Sequence, residues 1–125
     1  MRVLNILFVM IGGFIGAILR FLTGEWLYSN QGFPFGTLTV NLLGCMVLGG
    51  LFACCKKRYQ KVYLFIGTGI VGSFTTFSTF SVETLNLIID QQYLLAITYI
   101  SISIAGGLGL TFLCYRLALR KGETT

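Results

Sequence analysis

The chain has 125 residues, 55% of them hydrophobic and 10% charged, with a mean hydropathy of +0.84. A soluble domain carries about 25% charged residues, so the composition excludes one and places the chain in a membrane. The net charge of +5 gathers at the ends of apolar segments, which makes it a topology signal and not a nucleic-acid surface.

Four apolar segments use almost the whole length, leaving a single membrane domain over residues 1–125. A four-helix unit of this size is expected to enclose a pathway only as an oligomer. Histidine is absent, and Cys45, Cys54, Cys55 and Cys114 lack CxxC spacing. The cysteines read as small apolar fillers, not zinc ligands. No nucleophile–base pair points to an enzyme. The first apolar run is too long for a signal peptide and has no small-residue cleavage pattern.

Segment one covers residues 3–23. Gly12 and Gly16 stand one helical turn apart, a spacing that lets a second helix approach closely. Arg20 near its end has two readings. It is a snorkelling interfacial anchor, or it turns inward and gives an aqueous vestibule a positive potential that attracts anions. The loop that follows holds Trp26, Tyr28 and Phe33, an aromatic belt, and Pro34 stands where a helix can start.

Segment two, 35–55, opens FGTLTVN. Asn41 lies about 9 Å along its axis, where its amide must be satisfied. It is either interhelical glue or a donor facing an anion path. Thr37 shares its face. A basic turn, Lys56 to Lys61, leads into segment three.

Segment three, 62–90, exceeds the ~20 residues that a span needs, and an interruption within 72–76 accommodates the excess. Gly67, Gly69 and Gly72 precede Ser73, Thr75, Thr76, Ser78, Thr79 and Ser81, interleaved with Phe74, Phe77 and Phe80. A glycine-rich then hydroxyl-rich mid-span suggests a broken helix facing protein or water. Helical geometry puts Phe77 and Phe80 on one face and Thr75, Ser78 and Thr79 on the other. The phenylalanines are a packing stripe or a row of ring edges; six hydroxyls in nine residues are more than a lipid-facing helix needs. Glu83 beyond them is an interfacial carboxylate or a residue at a pore mouth. After a short turn, segment four (93–115) carries Tyr99 and Ser103 on one face, and Gly106, Gly107 and Gly109 permit close contact.

Four spans put the N-terminus, the segment two–three turn and the C-terminal tail on one side. They carry Arg2, Lys56, Lys57, Arg58, Lys61, Arg116, Arg120 and Lys121, eight of the nine basic residues. The positive-inside rule makes that side cytoplasmic, so both termini are expected there in a multi-pass protein of the cell membrane.

Three motifs carry a resemblance: GGFIGAILR at residues 12–20, FGTLTVN at 35–41, and GSFTTFSTFSVE at 72–83. Together they resemble the small fluoride channels called Fluc, or CrcB, over essentially the whole chain. The third motif is the specific one. The resemblance implies an all-α membrane protein whose four-helix subunits, each with a broken third helix, form an antiparallel, dual-topology-type dimer with two narrow pores. It implies passive release of toxic cytoplasmic fluoride. Phe77 and Phe80 would line the pores with ring edges, and Asn41 would be the pore asparagine. Ser78, Thr79 and Glu83 would form a polar track, with Tyr99 and Ser103 facing the pore and Arg20 in the vestibule. The carbonyls of Gly72 and Thr75 would hold a structural sodium ion at the dimer centre.

Fluoride holds its water tightly, so a pore must replace it with amide, hydroxyl and ring-edge donors. Two features depart from a simple version of that picture. The charge bias calls for one insertion direction, and hence an oppositely oriented paralogue as partner in place of a second copy of the chain itself. Gly107 stands where relatives are aligned with a serine, which would make one pore less polar. Two rivals remain. A small multidrug exporter of the same architecture needs a carboxylate deep in a span; segment one has none and Glu83 lies toward an end. A non-transporting assembly subunit leaves the hydroxyls unexplained.

Overall fold

A computed structural model describes residues 2–27, 32–54 and 59–122. Tyr28, Cys55 and the basic positions 56–58, singled out above, lie outside the described residues. Four helical spans, Val3–Trp26, Phe35–Cys54, Gln60–Ile89 and Tyr93–Arg120, are long and apolar enough to cross a membrane. Among the described residues there is no strand.

Helix α1 is Arg2–Trp26 and α2 is Phe35–Cys54. Helix α3 (60–74) begins at Gln60–Val62, widens into a π-helix over Tyr63–Val71 and closes with Gly72–Phe74. Helix α4 is Phe77–Ile89. Helix α5 (93–122) contains a second π stretch at Ile102–Gly106. The first and last spans run further than the apolar segments suggest, because nothing breaks either helix where its apolar run ends. Arg116 keeps its stem on α5 and lies over the Phe112 ring at 5.1 Å, a cation–π contact that lets a charged residue continue the helix.

Neither π stretch is foreseen by apolar periodicity, which carries no signature of a wider coil. At the end of the first, Gly72 N reaches back to Gly67 O, the five-residue bond that defines the form. This is also where α1 presses closest. A Cβ on Gly12 would meet Phe65 O and the Gly69 Cα, and one on Gly16 would meet Ile70 O. The expected glycine pair is therefore a backbone-on-backbone contact. The C-terminal half of α5 packs on α2 in the same way: a Cβ on Gly49 would run into Thr111 O. Gly106 and Gly107 face Leu42 and Cys45, whereas Gly109 has nothing within 4 Å.

Few side chains are buried, as expected where lipid replaces water outside. Among the described residues, Leu38, Leu87, Ala96 and Tyr99 form a hydrophobic cluster of buried residues, with Phe33, Leu42, Phe80 and Leu95 against it. Phe33 packs inward from the loop. Its ring meets Tyr99 edge-on at 5.7 Å, while Trp26 stays 85% exposed.

A tight turn joins α4 to α5. Gln92 N reaches Leu87 O (2.8 Å) and Gln91 N reaches Ile88 O (3.0 Å). This crossed pair closes a helix when the next residue is left-handed. That residue is Gln91, at φ 59°. The turn sets α4 and α5 antiparallel and brings Glu83 beside Tyr99.

Candidate functional site

The third span is interrupted at Thr75 and Thr76, a narrower break than the 72–76 expected. Thr75 takes φ −79°, ψ 157° and Thr76 φ −148°, ψ 128°, both extended. β-Branched threonines favour that region, and each repairs part of the damage. Thr75 Oγ1 donates to Val71 O at 2.9 Å. Thr76 N-caps α4: its Oγ1 accepts from Thr79 N at 3.2 Å. The break also needs room. A Cβ on Gly44 would run into the Thr75 methyl.

Asn41 completes the repair from α2. Its Nδ2 donates to Thr76 O at 2.9 Å, and Thr76 N donates to its Oδ1 at 2.8 Å. In an unbroken helix Thr76 N would serve Gly72 O, and Thr79 N would serve Thr75 O. Both amides are committed elsewhere, so the Gly72 and Thr75 carbonyls lose their helical donors.

With the break in place, Thr75 no longer shares a helix face with Ser78 and Thr79. Thr76 takes its place, with its Oγ1 3.3 Å from Ser78 Oγ and donating to Thr79 Oγ1 at 3.1 Å. Ser81 turns back onto Phe77 O at 2.9 Å. The two phenylalanines differ. Phe77 is 80% exposed, whereas Phe80 is half-buried, its ring 5.0 Å from Tyr99 and 5.8 Å from Phe77.

Glu83 is held from two sides. Thr37 Oγ1 donates to its Oε1 and Tyr99 OH to its Oε2, each at 2.8 Å. Tyr99 is fully buried, its ring under Phe33 and Phe80 and its hydroxyl on the carboxyl. Ser103, one turn on, is within the second π stretch, and its Oγ is buried with no hydrogen-bond partner among the described residues. The Tyr99→Phe substitution should leave ring packing intact and cost about 1.5–3 kcal/mol, the range for a hydrogen bond to a charged group. A lowered thermal midpoint in detergent is the readout.

Arg20 is exposed, yet lines a cavity of about 230 Å³ with Thr37, Thr76, Thr79 and Glu83. A second cavity of about 260 Å³ lies toward the loop side, against Phe33, Asn86 and Asp90. Thr37 and Glu83 border both. The structure thus gathers Arg20, Thr79 and Glu83 at one cavity, Asn41 and Thr75 at the break, and Phe77, Phe80 and Tyr99 in one aromatic row. Sequence reasoning missed the capping of Thr76 and the Thr37–Glu83 bond. A threonine opening an apolar helix is a cap signal; a contact across 46 residues leaves none.

This fold and site define a class: a small four-span membrane protein whose third span is broken without charge, leaving two carbonyls without their helical donors and a set of hydroxyls beside an aromatic row. Residues 7–115 match the family described as CrcB-like protein, Camphor Resistance (CrcB). The chain is 51% identical over 118 residues to the fluoride-specific ion channel FluC of Oceanobacillus iheyensis, covering 92% of each. It is 42% identical over 122 residues to FluC 1 of Bacillus cereus, with 94% of this chain and 89% of the relative covered. With FluC 2 of Rhodococcus jostii it shares 37% over 114 residues, 91% of this chain and 98% of the other. The chain belongs to the CrcB/FluC family.

Proposed function

We propose that the protein is a fluoride-specific channel through which toxic cytoplasmic fluoride leaves the cell passively. The observation that carries the reading is the break followed by Phe77, Ser78, Thr79 and Ser81, all exposed on a single chain. Such a set has no use against acyl chains, because hydroxyls gain nothing from hydrocarbon. It needs a second surface. The partner is an antiparallel one, either a second copy or, given the charge bias, an oppositely oriented paralogue. Both termini are cytoplasmic on the same charge argument. The names of the relatives supply the ion.

Fluoride would be passed between neutral dipoles. Ring edges at Phe77 and Phe80 carry partial positive charge, and Ser78 and Thr79 add hydroxyl donors. The guanidinium of Arg20 raises the anion concentration at the mouth. Ser103 Oγ, buried without a partner among the described residues, is a further donor on the same side of α5 as Tyr99. The exporter alternative gains no support, since Glu83, the carboxylate nearest the row, is already bridged by Thr37 and Tyr99.

The residues also fit a resident sodium ion. Gly72 and Thr75 offer carbonyls whose helical amide donors are engaged elsewhere. Carbonyl oxygens released at a helix break are hard donors suited to such a cation. The ion would hold the two broken spans of a dimer together.

Efflux from liposomes is the test. Fluoride should leave vesicles carrying this chain, alone or with any neighbouring paralogue, while chloride is retained. Equal release of both anions, or none of either, overturns the proposal. Cysteine-accessibility mapping should find one orientation of this chain; both orientations would restore the homodimer.

A further inference from the structure

We propose that Asn41 is a positioning residue for the sodium site: its carboxamide clamps the Thr76 backbone in the extended form and so keeps the Gly72 and Thr75 carbonyls available to the cation. The inference rests on the reading of those carbonyls as a sodium site.

Two hydrogen bonds of opposite sense join Asn41 to Thr76, at 2.9 and 2.8 Å. They use the amide oxygen and one amide hydrogen, the pairing that a neighbouring β-strand would offer. An extended Thr76 has lost the helical acceptor of its N–H, and Asn41 Oδ1 replaces it, while Asn41 Nδ2 adds a donor to the Thr76 carbonyl that, as N-cap, opens α4. In a bilayer an unpaired backbone N–H or C=O costs several kcal/mol. Without Asn41 the cheapest repair is for Thr76 to rejoin the helix and give its N–H back to Gly72 O. That move consumes one carbonyl and swings the other.

The two conformations of Thr76 exclude each other, so Asn41 selects the one compatible with a cation without touching it. The absence of a side chain at Gly44 serves the same end, by leaving space for the methyl of the extended Thr75. The clamp reaches the pathway as well: Thr76 Oγ1, fixed by it, contacts both Ser78 and Thr79. The cation site and the hydroxyl row therefore share one hinge.

The test is thermal stability of the purified protein in detergent, titrated with sodium against a choline background. Asn41→Leu keeps the volume and removes every polar atom. Asn41→Ser reaches at most one of the two backbone groups and serves where the leucine variant does not fold. The sodium concentration giving half of the stabilisation should rise about tenfold or more in the leucine variant, the usual effect of removing a group that supports metal ligands. The serine variant should fall between. Phe80→Ile, which lies beyond the hinge, should titrate as wild type. If both Asn41 variants lose fluoride efflux but titrate with sodium like wild type, Asn41 acts in the pathway itself and the proposal falls alone. If the wild type is indifferent to sodium, the sodium reading fails and takes the proposal with it.

Discussion

Phe80→Ile should lower fluoride efflux about ten- to a hundredfold while the protein still folds. The isoleucine keeps most of the apolar volume against the cluster of Leu38, Leu87 and Ala96. It removes the polar ring edge, which in our reading stands in for water on the passing anion. An interaction with a desolvated charge is worth about 1.5–3 kcal/mol. As a barrier term that corresponds to roughly one to two orders of magnitude in rate. A fluoride electrode outside loaded vesicles measures it, and elution as a single sharp peak confirms folding. Undiminished flux with a folded variant would remove Phe80 from the path and return the phenylalanines to a packing stripe.

The second large effect belongs to the helix contact that holds the broken span in place. Gly16→Ala should destabilise by roughly 3 kcal/mol, the upper end of overpacking costs. Its new Cβ would meet Ile70 O, with Ile70 C at 2.9 Å and Cα at 3.1 Å behind it. These are backbone atoms, which cannot rotate away as a side chain would. Gly13→Ala is the control. Nothing lies within 4 Å of its added carbon, so it should stay within about 0.5 kcal/mol of wild type. Thermal melts of the two variants give the comparison; equal midpoints would mean that α1 is not seated on α3 as described.

What could be read from the residues alone follows from which forces act locally. The number of spans and the Gly12/Gly16 contact are legible, because a bilayer sets the first and the lack of a Cβ sets the second. The break was legible as a region, since glycine followed by threonine is poor helix for a mid-span. Its confinement to Thr75 and Thr76 was not, because Asn41 and Gly44 fix it from another helix. The π stretches left no trace, as the residues of a wider coil are apolar in the same places. Tyr99 was expected at the pore with Ser103. The structure buries it completely and commits its hydroxyl to Glu83, an outcome decided by the α4–α5 turn. Thr37 was placed on the face of Asn41, correctly for a helix, but its partner Glu83 is a tertiary fact.

The interruption has one more consequence, which lies in the backbone and not in any side chain. Ending α3 at Phe74 and restarting at Phe77 sets the carboxyl end of one helix against the amino end of the next in mid-span. Aligned peptide dipoles leave about half a negative charge at the first and half a positive charge at the second. The carbonyls of Gly72 and Thr75 sit at the electronegative terminus, and Ser78 and Thr79 at the electropositive one. Residues 67–81, which carry no ionisable acid or base, thereby offer separate low-energy places to a cation and an anion a few residues apart. Side-chain replacement cannot abolish that field, so variants at the hydroxyls should weaken ion preference by degrees and never invert it.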